Sequence, residues 1–333
     1  MTARIERRIS EAWPGTTLDG PPQPLHGGFW ASMFRLRLVD HPPGVPDDVV
    51  FRIAPDTEMG AKELAVQRSV AEMGYPTPRV RLGMPFDDEL GGSWTVMDFV
   101  AGASPLEDLN GLAALRRAPA LLRRLPHQLA EPMAALHALD PDPVSAAVAD
   151  VAPRVAWNTE QLLQHFEVGA VALERPDLVA AVHALRACQP EAGRTVICHG
   201  DLHPFNLLVH HGDVTVIDWT ASIKAEPVYD LAFTALLLAN PPLESSGPIA
   251  AFTYRVGAHL ANKFIARYLA IASGNVDSIE WYRALHGARI LIEAESLLAR
   301  DDGEATRHPF GALLPAATHA LRAVVGTPIT SMK

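Results

Sequence analysis

The stretch His199-Gly200-Asp201-Leu202-His203-Pro204-Phe205-Asn206, followed by Val214-Thr215-Val216-Ile217-Asp218-Trp219, decides how this chain is read. Its spacing is H-x-D-x4-N-x11-D, and the last Asp ends a β-branched, strand-like run. Moving a phosphoryl group from ATP to a hydroxyl requires one side chain that accepts the substrate proton. It also requires oxygen ligands that hold Mg²⁺ against the phosphates. A loop with Asp201 and Asn206, facing a strand end with Asp218, supplies all three groups. The residues therefore point to an ATP-dependent kinase.

Two further features bear on the same reading. Pro227-Val228-Tyr229-Asp230-Leu231-Ala232 trails the signature, and Leu136-His137-Ala138-Leu139 precedes it. The segment 195–232 resembles the signature of the aminoglycoside phosphotransferase family, small-molecule relatives of protein kinases; a looser similarity extends to the N-terminal third and to Leu136–Leu139. The resemblance implies an α+β, two-lobed protein-kinase-like fold. An N-terminal lobe would hold an antiparallel sheet and one main helix, and a larger, mainly helical C-terminal lobe would follow. It implies nucleotide binding in residues 1–100, a hinge at about 97–102, and a catalytic loop and acceptor site within 103–333.

Residue by residue, the resemblance makes Asp201 the catalytic base and Asn206 and Asp218 the Mg²⁺ ligands. One carboxylate and one amide oxygen suit a small, hard cation that keeps several waters. The competing local readings are an Asx-turn at Asp201, a helix cap at Asn206 and a strand-ending turn at Asp218. His199 is expected to brace the loop through backbone hydrogen bonds. Asp230 is expected to cap the following helix and bond the loop backbone.

The nucleotide-binding residues by the same resemblance are Gly27, Gly28, Arg52, Glu63, Met97, Asp98, Phe99 and Val100. Arg52 stands where kinase-like folds carry a strand lysine, with Glu63 as its helix partner. A guanidinium can still grip phosphate bidentately. Met97 to Val100 resemble the connector whose backbone bonds the adenine edge. No G-x-x-x-x-G-K-[ST] occurs, which argues against a P-loop kinase.

Two alternatives remain open at this point. The arginine substitution is compatible with a nucleotide-binding pseudoenzyme. The run His199-x-Asp201-x-His203 has the residue types of a transition-metal hydrolase. Cys198, beside His199, reads as a small apolar residue ending the strand Thr195–Ile197 rather than as a nucleophile.

Bulk properties set outer limits. At 333 residues, 48% hydrophobic and 20% charged, the chain has room for two cores. A net charge of −10 argues against nucleic acid as a partner. The partners expected are a nucleoside triphosphate, ATP or GTP, and a small hydroxylated acceptor. No membrane partner is expected, since no apolar run is long enough to span a bilayer. Met1–Arg8 lacks a signal-peptide core, and the two cysteines, Cys188 and Cys198, form no disulfide framework; a cytoplasmic setting is expected.

Periodicity places strands at Met33–Leu38, Val49–Ile53 and Ser93–Val100, and helices at 1–13 and 58–73. Beyond residue 102 helical texture dominates, at 106–139, 155–188, 227–240, 247–272, 278–300 and 309–325. Pro119, Pro126 and Pro132 are expected to divide or kink the first of these. For the acceptor, Glu280, Glu293, Glu295, Asp301 and Asp302 could bind amines, and Tyr254, Phe264, Trp281 and Tyr282 could line an apolar pocket. Solvated faces and helix core are the competing readings.

Overall fold

The computed structural model describes residues 1–25, 31–107, 111–241, 247–272, 274–299, 309–326 and 328–330. In chain order the elements begin with α1 (Thr2–Ala12), β1 (Thr17–Leu18), β2 (Gln23–Leu25), β3 (Ser32–Val39), β4 (Asp48–Ala54), α2 (Thr57–Glu72), β5 (Val80–Asp87) and β6 (Gly92–Asp98). Then come α3 (Gly111–His137), α4 (Pro141–Val151), α5 (Thr159–Ala172), α6 (Pro176–Ala187), β7 (Val196–Cys198), β8 (Leu207–His210), β9 (Asp213–Val216) and β10 (Ile223–Ala225). The chain closes with α7 (Val228–Ala239), α8 (Gly247–Ile271), α9 (Ile279–Leu298) and α10 (Leu314–Val325). An antiparallel sheet in the N-terminal part and mainly helices in the C-terminal part make this an α+β chain. Packing groups the residues into two compact units, each drawn from three separate stretches.

The first unit holds 1–105, 139–155 and 205–222. Its sheet runs β1-β3-β4-β6-β5, with β2 also on β3 and every pairing antiparallel. Phe51 and Trp94 stack at 5.3 Å on one face, together with Ile5 and Ile9 of α1, in a core that also contains Leu36, Val49 and Val96. Strand β5 went unread in the sequence because Gly83 and Pro85 break its pattern; at the sheet edge Pro85 removes no ladder bond that matters. Helix α2 starts at Asp56, whose side chain accepts the Met59 N–H at 3.0 Å. It lies so close to the sheet that a Cβ on Gly60 would fall 2.2 Å from the Ser93 hydroxyl. Helix α4, a short segment missed in the sequence, packs with α2 in this unit.

The second unit holds 106–138, 156–204 and 223–333. Its core joins Leu163 and Phe166 of α5, Leu178 and Leu185 of α6, Tyr229 of α7 and Leu285 and Leu291 of α9. The prolines expected to divide or kink the 106–139 segment do not divide it: α3 continues past Pro119, Pro126 and Pro132 as one helix. Each proline removes one helical hydrogen bond, but the buried stripe Leu125, Leu129, Met133 and Leu136 holds the helix through tertiary packing. The expected 155–188 helix is instead two, parted at Glu174, whose φ is 54°, and Pro176. Among the described residues no helix is long and apolar enough to cross a membrane.

Candidate active site

In the first unit the signature's second half forms a hairpin. Leu207 of β8 pairs with Val216 of β9, and Val209 pairs with Val214. That antiparallel register puts Asn206, just before β8, beside Ile217, just after β9. The Ile217 N–H donates to the Asn206 carbonyl at 3.0 Å. The two oxygen donors expected to hold a metal, Asn206 and Asp218, therefore leave the same end of one hairpin. Asp218 has a φ of 66°, a left-handed conformation that Asp tolerates better than most residues. Its Oδ1 accepts from the Thr220 backbone and hydroxyl. Next to it, Trp219 is fully buried, donates to the Thr77 hydroxyl at 2.9 Å and meets Tyr75 edge-on.

Arg52 on β4 and Glu63 on α2 form a buried ion pair. Burial opposes the Arg52 charge, but Glu63 and then Asp218 outweigh it and raise its pKa. Burial, with Asp218 adding to it, pushes the Glu63 carboxyl upward. Arg52, Glu63 and Asp218 thus form one electrostatic group. Lys62, adjacent to Glu63, is buried and donates to the Ser222 carbonyl at 3.1 Å, and its charge also acts on Glu63, against the upward push.

The connector residues are partly committed to the sheet. Met97 is buried and receives the Gln67 amide at its sulfur, 3.2 Å away. The Asp98 N–H donates to Arg79 and the Phe99 N–H to Asp48, while Asp98 takes a forked pair from Arg81 at 2.6 and 2.9 Å. Arg35 lies 4.1 Å over the Phe99 ring. Val100 lies beyond the ladder. A cavity of about 600 Å³ in this unit is bordered by Val45, Arg81, Phe99, Val100, His210 and Thr215. Gly27 and Gly28 lie outside the described residues.

In the second unit, Asp201 follows β7 in a loop whose backbone is tied down at each step. His199 N–H donates to Asp230 Oδ2 at 2.8 Å and Gly200 N–H to Asp230 Oδ1 at 2.7 Å. Asp201 N–H donates to His199 Nδ1 at 3.3 Å, and the Thr234 hydroxyl donates to the Leu202 carbonyl at 2.6 Å. Asp230 is the third residue of α7 and turns its carboxylate to this loop, where His137 Nε2 also reaches it at 3.1 Å. Burial raises the Asp230 pKa, yet His137, His199 and the loop N–H groups pull it below the usual range.

Asp201 is likewise below the usual carboxylate range. Burial acts upward, and His203, Arg289 and His199 act downward more strongly. His203 Nε2 is 3.5 Å from its carboxylate. With Nδ1 of His199 engaged by the loop itself, the His199-Asp201-His203 trio does not form a metal cluster. Among the described residues, the cluster that could do so is His137, Cys198 and Asp230, all buried. Cys198 contacts the Ala225 and Glu226 carbonyls, and burial holds its thiol well above the usual pKa.

The acceptor candidates fare unequally. Phe264, Trp281 and Tyr282 are core residues, and Glu280 and Glu295 are engaged by Arg283 and Arg175. Tyr254 is exposed, and Asp301 and Asp302 lie outside the described residues. Sequence reasoning passed over Arg289 and Thr234. For Arg289 the available signal was a lone cation inside the apolar run Ala288-Arg289-Ile290-Leu291-Ile292.

Solved structures show the same fold. Aminoglycoside phosphotransferase APH(4)-Ia, determined as a thermostable mutant with AMP-PNP and hygromycin B, aligns over 97% of this chain and 99% of its own. Its TM-score is 0.62, with 15% identity. A choline/ethanolamine kinase family protein from Mesorhizobium loti aligns over 98% and 96%, with a TM-score of 0.58 and 19% identity. Aminoglycoside 2'-phosphotransferase-IIIa, solved with GDP, aligns over 98% of each chain, with a TM-score of 0.59 and 17% identity. At such identities the likeness is one of fold, here the protein-kinase-like fold. No curated protein matches the chain in sequence. The model of the phosphotransferase enzyme family, by contrast, matches residues 22–285. On that match the chain belongs to the phosphotransferase enzyme family.

Proposed function

We propose that this protein transfers the γ-phosphate of ATP or GTP to a hydroxyl of a small molecule, in the presence of Mg²⁺. Asp201 accepts the hydroxyl proton. Asn206 and Asp218 are the metal ligands, Arg52 contacts the phosphates while Glu63 orients it, and the backbone at Met97–Val100 receives the nucleotide base. Gly27 and Gly28 belong to the phosphate side of the same reading. The observation that best supports it is the β8–β9 register, which sets Asn206 beside the strand end that leads to Asp218. Both donors are hard oxygens, as Mg²⁺ requires. Bound there, the ion would neutralise charge on the β- and γ-phosphates.

Arg52 in place of lysine is consistent with activity, because its fork can serve Glu63 and phosphate together. An Asp201 carboxyl held below its ordinary pKa is ionised at neutral pH and ready to accept a proton. Most of the barrier in such transfers is lowered by positioning and charge neutralisation, so a weak base suffices.

Aminoglycosides and amino alcohols lead the acceptor candidates. One structural neighbour holds hygromycin B, and another is of the choline/ethanolamine kinase family. The neighbours hold AMP-PNP in one case and GDP in another, so both triphosphates belong in the test. The experiment is nucleoside-diphosphate release from ATP and from GTP over a panel of aminoglycosides, macrolides, amino alcohols and sugars, with Asp201→Asn as blank. Acceptor-dependent release that requires Mg²⁺ and disappears in the variant is expected. Nucleotide binding without turnover on any acceptor would instead identify a pseudoenzyme.

A further inference from the structure

We propose that Arg289 is a positioning residue for the transfer step: from α9 it fixes the peptide that carries Asp201 and so sets the orientation of the base. The inference rests on reading Asp201 as the proton acceptor.

Arg289 is only 8% exposed, in a helix whose neighbouring residues Ala288, Ile290, Leu291 and Ile292 are all buried. A guanidinium removed from water needs compensating partners. This one donates through its NH1 group to the Gly200 carbonyl at 2.7 Å and through Nε to Glu293 at 2.9 Å, and its carbon lies 5.1 Å over the Phe233 ring. Glu293, one turn further along α9, accounts for the charge. It does not account for the reach to Gly200.

That reach has a consequence for the loop. The Gly200 carbonyl and the Asp201 N–H belong to the same peptide plane. The N–H side is held by His199 Nδ1 at 3.3 Å, the longest bond in the set, and the carbonyl side by Arg289. Gly200 has a φ of 77° and no side chain, so its own sterics do little to lock the plane. Asp230 fixes the plane before it and Thr234 the one after Leu202. Without Arg289, the plane adjoining Asp201 would lose the shorter of these two tethers.

The same guanidinium is a permanent cation near the Asp201 carboxylate, on which it acts together with His203 and His199. His286, one turn earlier on α9, supplies no such charge. Burial, with Arg289 adding to it, lowers its pKa to about 3, and its ring is neutral at physiological pH.

A purely structural role makes a different set of expectations, and a double-mutant cycle separates the two. The variants are Arg289→Gln, Asp201→Asn and both together, in the full chain. They are assayed with MgATP and the fastest acceptor of the panel above. Arg289→Gln should lower kcat by ~10²-fold, the cost of a slightly misplaced catalytic group. Its KM for MgATP should stay within about twofold, since uniform binding is untouched. The double variant should be no slower than Asp201→Asn alone. Additive losses, or a folded Arg289→Gln with kcat within about threefold of wild type, would overturn the proposal.

If glutamine prevents folding, Arg289→Lys carries the test. It keeps the charge but gives up the fork that serves Gly200 and Glu293 together, and a ~10-fold lower kcat is expected. Wild-type kcat in that variant would sink the idea. Hydrogen exchange over residues 198–204 provides an arm that needs no acceptor. Faster exchange there in Arg289→Gln supports the proposal and unchanged exchange contradicts it. Should Asp201→Asn itself keep full turnover, the assignment of the base fails whatever Arg289 does.

Discussion

The Asp230 carboxylate accepts the Gly200 N–H at 2.7 Å, and its other oxygen accepts the His199 N–H at 2.8 Å. A helix residue 30 positions beyond Gly200 thereby shapes the loop that carries Asp201. The support continues inward: His137 Nε2 meets the same carboxylate at 3.1 Å, and the Tyr268 hydroxyl bonds His137 Nδ1 at 2.7 Å. All three side chains are buried. Removing the carboxylate would strand two backbone donors and a histidine at once. Asp230→Ala should therefore lose about 3–5 kcal/mol of stability in urea denaturation, with turnover abolished. A loss below about 1 kcal/mol would mean the cluster is less coupled than its geometry implies.

Acid should weaken the fold in two separable windows. His286 has its pKa lowered from 6.5 to about 3, first by burial and then by Arg289. Above 6.5 the ring is neutral folded or unfolded and costs nothing. As pH falls from 6.5 towards 3, only the unfolded chain takes up the proton, and stability declines. Asp230, whose pKa is lowered, stabilises fully above the ordinary aspartate value of 3.8, and that contribution fades as pH drops below it. His286→Gln should flatten the stability curve between pH 6.5 and 4 and leave the steeper fall below 4. An unaltered slope in urea titrations across the upper window would assign that titration to another group.

Gly60 tests how α2 is seated. An added methyl would lie 2.2 Å from the Ser93 hydroxyl and 2.8 Å from the Ala54 Cβ, so α2 must shift. Three residues further on, Glu63 would shift with it, away from Arg52. Gly60→Ala should cost about 1–3 kcal/mol despite alanine's better helix propensity. A thermal melt showing stabilisation would indicate slack that the packing does not display.

Arg52 is assigned to the phosphates and Asp201 to the proton, and these assignments separate cleanly. Arg52→Gln should weaken nucleotide binding by about 10–100-fold in calorimetry, the worth of one charge-assisted hydrogen bond. Equal affinity in wild type and variant would leave Arg52 as a partner of Glu63 alone.

The sequence made some of this legible and hid the rest for physical reasons. Asp201, Asn206 and Asp218 stand close in sequence, and the alternation of Val214 and Val216 announces the strand whose pairing sets the register between Asn206 and the residues leading to Asp218. Strands β3, β4 and β6 and helix α2 are periodic enough to be read directly. Strand β5 was hidden by Gly83 and Pro85, which an edge position tolerates, and the continuity of α3 by three prolines that its buried stripe overrides. The residues that brace the Asp201 loop come from α3, α7 and α9, far apart in sequence; Arg289 announced itself only as a charge among apolar neighbours. Nor does local pattern reveal that 139–155 and 205–222 belong to the same compact unit as the N-terminal residues, because that grouping depends on residues distant in sequence.

The most direct test is single-turnover phosphoryl transfer by Asp201→Asn, with nucleotide affinity measured on the same preparation. Transfer should fall by ~10³-fold or more while affinity for the magnesium nucleotide stays at the wild-type value. Transfer within a few-fold of wild type would contradict it, and the proton would have to leave the acceptor by another route.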